Sequence, residues 1–156
     1  MRLADYDYSQ NGAYFVSICL AGRRCLLGEI IGDRMVLNPL GEAVGEGWQT
    51  IAGHFHSVEL GPFVVMPNHF HGIVWIASAS PVEGLTDRPN LGQVIGWFKY
   101  ESARRVNAMR GTPGERFWQR NYYDHIVRSE EGLYAIAEYI DGNPGSWQKD
   151  EMNPGA

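Results

Sequence analysis

Between Val58 and Ile76 the chain carries two β-rich runs, Val58–Met66 and His69–Ile76, divided only by Pro67 and Asn68. β-Branched and aromatic side chains dominate both runs, and Pro-Asn is turn chemistry. The pair is therefore predicted to form neighbouring antiparallel strands closed by a tight turn. These strands are expected at the centre of a sheet, which the remaining elements must complete. A further strand is predicted over Ala13–Leu20, and a shorter one around Arg34–Leu37.

Three helices follow from spacing and from their ends. Asn38-Pro39 sets a capping side chain before proline at the first helical position, and Leu40, Val44, Trp48 and Ile51 then recur at helical spacing. A long helix is predicted from Leu91 to Met109, with Leu91, Ile95, Phe98, Ser102, Val106 and Met109 on one face and Gly111–Gly114 as its stop. The last starts near Ser129, with Glu130 and Glu131 favouring its positive end, and finishes at Asn143-Pro144. Residues 77–90 are small, polar and broken by proline, and read as a mobile loop. No second core follows them, so residues 1–156 are expected to be one domain. The order ββαββαβα implies an α+β class, with helices packed on an antiparallel sheet.

Composition limits the setting. Two cysteines, Cys19 and Cys25, make no disulfide framework, and no apolar run approaches the roughly 18 residues that span a bilayer. A cytoplasmic protein without a membrane partner is expected. The formal net charge of -5 argues at first against a partner as anionic as nucleic acid. That total hides three blocks: residues 1–87 hold 4 basic and 9 acidic side chains, 88–128 hold 8 and 3, and 129–156 hold 1 and 6. Charges separated by more than about 8 Å are largely screened at physiological salt, so the central block can still form a basic face.

Chemistry concentrates in the central hairpin. His69 and His71 are one residue apart, and alternate residues of a strand point to the same face, so both imidazoles can converge on one metal ion. An HxH is a weak signal alone, and His54-Phe-His56 repeats it. That copy follows a helix end in a polar stretch without a flanking strand, and reads as a solvated surface pair.

The phrase VMPNHFHG over Val65–Gly72 resembles the metal-binding signature of the single-tyrosine HUH transposases of bacterial insertion sequences, and most of all their domesticated branch, the REP-associated tyrosine transposases. Collinear phrases resemble the same family: Phe15–Cys19, Arg24–Glu29 and Met35–Asn38 before it, then Arg110–Gly114, Trp118–Arg128 and Glu138–Pro144 after it. The resemblance implies a ferredoxin-like or RRM-like sheet with the helices on one side. It also implies a metal-dependent single-stranded DNA endonuclease and strand transferase acting on hairpin-forming repetitive DNA. Tyr139 would be the catalytic nucleophile, forming a covalent 5′-phosphotyrosine, and His69, His71 and Asn143 the metal ligands for Mg²⁺ or Mn²⁺. Dimeric forms occur in the family, which makes a homodimer the expected assembly.

Residue chemistry agrees. A phenol can hold a phosphorus and leave again, and a divalent ion stabilises a scissile phosphate. Tyr139 and Asn143 stand at i and i+4, and so share a helix face. The family often has glutamine where this chain has Asn143, which before Pro144 can instead cap the helix end. Tyr122 and Tyr123, beside His125, are competing phenols, read as packing or DNA-lining residues.

For the path of the DNA, Trp97, Tyr100 and Arg104 fall opposite the apolar stripe of the long helix, and exposed rings interleaved with cations suit a single strand. Trp97 packing against a neighbouring loop or subunit is an equal alternative. Lys99, Arg105, Arg120 and Arg128 extend the basic block towards single-stranded or hairpin DNA. The rival functions are a non-catalytic hairpin-binding regulator derived from a transposase, and a relaxase or replication initiator. The latter usually needs a longer chain.

Overall fold

The computed structural model describes residues 12–77 and 89–155. The predicted hairpin forms from β4 (Val58–Val65) and β5 (His69–Ile76), closed where the Met66 N–H donates to the His69 carbonyl at 2.8 Å. β5 is buried along its whole length because β1 (Gly12–Cys19) pairs with its other edge. β6 (Tyr123–Val127) joins beyond β1, so the antiparallel order is β4-β5-β1-β6. Near the middle of edge strand β4 the register shifts between Leu60 and Phe63, at Gly61-Pro62.

A second, two-stranded sheet pairs β2 (Gly28–Ile31) with β3 (Arg34–Leu37). β2 is absent from the order read off the sequence. Its four residues carry no sustained alternation, and pairing with β3 specifies it more than burial does, since neither strand has a buried residue.

The helices start where their caps put them. The Asn38 side chain accepts from Gly41 N at 2.9 Å ahead of α1 (Pro39–His54). Asn90 and Gln93 form a reciprocal capping box ahead of α2 (Leu91–Arg110), which ends on left-handed Gly111 at φ 67°. Ser129 caps α3 (Glu130–Gly142), and a 3-10 helix follows over Pro144–Lys149.

Alternation along the central strands divides the core. Val16, Ile18, Phe70 and Val74 point to one face, where α1 and α2 pack through Val44, Trp48, Ile51, Ile95 and Phe98. This is the expected α+β arrangement, with α1 and α2 together on one side of the antiparallel sheet. Phe15, Ile73 and Trp75 point to the other face, where Leu133 and Ile140 of α3 close a smaller core. Met109, expected on the inward stripe of α2, is 51% exposed, because the last turn of α2 extends past Val106, its final buried apolar residue. Of the loop expected over 77–90, residues 78–88 lie outside the described residues. Among the described residues no helix is long and apolar enough to cross a membrane.

Gly72 lets the α1 layer approach β5: a Cβ there would meet Phe70 Cε1 and Trp48 Cζ2 at 2.9 Å. Both rings are fully buried, so neither can swing aside. Gly72→Ala should cost about 1–3 kcal/mol in urea denaturation through overpacking, whereas Gly96→Ala, with open space around it, should not destabilise.

Candidate functional site

On the α3 face of the sheet, period-two alternation brings His69 and His71 together, with ring centroids 4.7 Å apart. β1 supplies their neighbours by register: Ser17 pairs with His71 and Cys19 with His69. The Ser17 hydroxyl lies 2.5 Å from His71 Nδ1, leaving Nε2 as the other nitrogen of that ring. Phe15, two residues back, stacks on His71 at 5.5 Å.

The tautomer of His69 is fixed by Asn68. The Asn68 amide nitrogen donates to the Arg23 carbonyl at 3.2 Å and the Met152 carbonyl at 2.8 Å, which only an NH₂ group can do. Its oxygen therefore faces His69 Nδ1 at 2.9 Å and accepts that ring's proton. His69 Nε2 is left with its lone pair, buried and without a hydrogen-bond partner. The Asp150 carboxylate stands 3.7 Å from it. One Asp150 oxygen accepts from Met152 N at 2.8 Å, and the other faces the imidazole.

α3 delivers the remaining pair. Tyr139 is 54% exposed, and its ring stands 5.5 Å from that of His71 and 6.1 Å from that of Phe15. Asn143, one turn on, is buried at the helix end. Its amide nitrogen donates to the Tyr139 carbonyl at 3.2 Å, while its oxygen has no hydrogen bond. The capping and metal-ligand roles that the sequence set as alternatives are thus compatible, because they use opposite ends of one amide.

Burial holds both imidazoles below their ordinary value. His71 is pushed down to about 3, by burial first and then by its neighbour His69. His69 is lowered by burial against the opposing pull of Asp150 and Asn143. Both are therefore neutral at neutral pH, with nitrogen lone pairs free to bind. Two imidazoles and an unpaired amide oxygen fit a divalent ion. Among the described residues no three His, Cys, Asp or Glu side chains are grouped as a metal centre; the unpaired Asn143 oxygen is a further donor in the cleft that the two imidazoles line. These residues line this cleft, of about 840 Å³, together with Gln119, Asn121, Tyr122 and Tyr123.

No family model matches the chain. An uncharacterized protein of Haemophilus influenzae is 38% identical over 165 residues, spanning 97% of this chain and 91% of its own length. This chain belongs to that protein's family. Among solved structures it is similar to a REP-associated tyrosine transposase bound to a REP hairpin, with TM-score 0.60 and 20% identity over 92% of this chain and 73% of that one. It is also similar to a Deinococcus radiodurans protein assigned as a transposase, with TM-score 0.54 and 19% identity over 90% of this chain and 95% of the other. The family resemblance carried by VMPNHFHG is thereby borne out at the level of fold.

The sequence-derived nucleic-acid residues are more dispersed. Trp97 donates to Thr50 Oγ1 at 3.1 Å and stacks on His54 at 3.6 Å, so it packs against α1, and His54 has a ring partner rather than being purely solvated. Arg104 and Arg105 both bond the Glu101 carboxylate, and hold it below the usual carboxylate range through the Arg104 hydrogen bond first. Lys99 donates to the carbonyls of Gln119 and Arg120. Tyr100, Arg120 and Arg128 are exposed. Sequence reasoning missed Ser17, Asn68 and Asp150. A lone hydroxyl on an apolar strand was the one available signal, for Ser17.

Because the folded imidazoles sit below 6.5, the unfolded chain takes up protons first as pH falls. Stability should be full above about pH 6.5 and decline below it, by up to about 1.4 kcal/mol per pH unit for each imidazole, until His71 itself protonates near 3. Urea denaturation in chelator from pH 7 to pH 4 should show a shallower fall for His71→Gln; parallel slopes would refute the burial effect.

Proposed function

We propose that the chain is a metal-dependent, transposase-type enzyme that nicks and rejoins single-stranded DNA. The observation that carries this reading is one cleft holding two neutral imidazoles, an unpaired amide oxygen and the exposed ring of Tyr139. His69 Nε2, His71 and Asn143 Oδ1 would hold Mg²⁺ or Mn²⁺. When bound, such an ion supplies Lewis-acid stabilisation of the scissile phosphate, worth several kcal/mol.

The chain's own residues do the rest. The Tyr139 phenol gives up its proton as its oxygen attacks the phosphorus; the new P–O bond makes the 5′-phosphotyrosine, the P–O3′ bond breaks, and the 3′ oxygen leaves with a proton as a hydroxyl. Reversal by a 3′-hydroxyl reseals a strand and frees the phenol. Phe15 supports both the Tyr139 and His71 rings. Ser17 and Asn68 orient the imidazoles, as outer-shell partners do in metal sites generally. The reading also takes hairpin DNA as substrate, supported by fold similarity to a transposase bound to a REP hairpin.

Tyr139→Phe should abolish the covalent adduct with a single-stranded oligonucleotide on denaturing gels, while Tyr123→Phe retains it; an adduct surviving in the first variant assigns the nucleophile elsewhere. His69→Ala should lose Mn²⁺ binding in calorimetry and cleavage together, Ser17→Ala should bind Mn²⁺ roughly tenfold more weakly, and His54→Ala should do neither. A protein that binds hairpins and Mn²⁺ but makes no adduct would be a regulator instead.

A further inference from the structure

The stretch from Gln119 to Tyr123 lines the cleft without a part in that reaction, yet the chain leading into it is tied down at several points. Phe117 and Trp118 are buried in the core, and Trp118 donates to Ser102 Oγ at 2.9 Å. Ala21 N donates to the Phe117 carbonyl and Gln119 N to the Cys19 carbonyl, at 2.9 and 2.8 Å, which ties the stretch to the end of β1. Lys99 then clamps it from α2, bonding the carbonyls of Gln119 and Arg120 at 2.7 and 2.8 Å, with its ammonium 5.6 Å above the Tyr122 ring. Lys99 is therefore a strut here.

This anchoring spends backbone groups and leaves the side chains of Gln119, Asn121, Tyr122 and Tyr123 to line the cleft. Tyr123 is 59% exposed, and its register partner is Ser17, whose own partner across β1 is His71. The Tyr123 ring thus lies on the same sheet face as the imidazoles, edge-on to Phe15 at 6.3 Å. Two carboxamides offer neutral donors and acceptors, and Tyr123 offers a flat aromatic face. None of these four carries a charge; the charged lining among the described residues is Lys149, Asp150 and Glu151, from the C-terminal segment. A neutral wall of that kind suits a nucleobase better than a phosphate: carboxamides match a base edge, and every base can stack on a ring.

We infer that Gln119, Asn121 and Tyr123 form a subsite for one unpaired nucleobase next to the scissile phosphate, held in shape by Lys99. Tyr123 stacks the base and the carboxamides read its edge, so this wall contributes to choosing where the strand is cut. The inference rests on the proposed reading of the cleft as a strand-cutting site.

The test uses full-length Tyr139→Phe protein and a DNA hairpin with single-stranded flanks, carrying 2-aminopurine at one flank position at a time. Fluorescence should fall severalfold at one position on saturation, as stacking quenches the probe. Adding Tyr123→Ala should remove that quench and weaken binding of the flanked hairpin roughly tenfold, while a hairpin without flanks binds as before. Tyr123→Phe, which keeps the ring, should retain the quench. Asn121→Ala or Gln119→Ala should level the preference among the four bases at that position. The subsite is wrong if the flanked hairpin binds with no position quenched, or if the quench survives Tyr123→Ala. An adduct at Tyr139 without any quench overturns the subsite alone; a Tyr123-dependent quench without an adduct overturns strand cutting alone.

Discussion

One buried carboxamide ties the site to the fold. Asn68 occupies the turn between β4 and β5, and it cannot leave its polar groups unpaired there without a cost of about 1–3 kcal/mol each. Its backbone carbonyl accepts from Leu20 N, its side-chain nitrogen reaches Arg23 and Met152, and its oxygen takes the His69 proton. The end of β1, the central turn, the C-terminal segment and an imidazole tautomer are thereby set by one residue. The lone pair of His69 Nε2 follows from that arrangement, as does the approach of Asp150, which shares its segment with Met152. α3 needs only to present Tyr139 and Asn143 to a locus already defined.

What was legible in the sequence was local. Asn38 reads as a cap before Pro39, and in the fold Asn38, Asn90 and Ser129 all cap their helices through bonds to the third residue on. The imidazoles share a face because a strand has period two, and Tyr139 with Asn143 because a helix has nearly four residues per turn. What was not legible depends on chain closure. Asn68 reads as a turn former until Met152, 84 residues away, returns to it. Lys99 reads as a DNA-facing cation until carbonyls 20 and 21 residues on are brought beneath it. Asn143 looked like a choice between cap and ligand because a sequence does not show that the two ends of an amide can serve different partners.

The basic block between residues 88 and 128 illustrates the same limit for charge. Eight cations in 41 positions suggest a continuous anion-binding face. Folded, Lys99 serves backbone carbonyls, and Arg104 and Arg105 share Glu101. Arg120 and Arg128 remain exposed towards the β6 edge. The field is therefore patchy, and weaker than a count of cations implies.

Placing α2 and α3 on opposite faces of the sheet also sets a contour for any nucleic acid that touches both. Tyr100 and Arg104 belong to α2 on one face and Tyr139 to α3 on the other, with the sheet between them. A strand touching both must go round the sheet rather than through it. That bend requires a flexible, unpaired backbone, since a duplex resists curvature over a span as short as one sheet. For any nucleic acid that spans both faces, the architecture therefore sets a minimum length of unpaired backbone, whatever its base sequence.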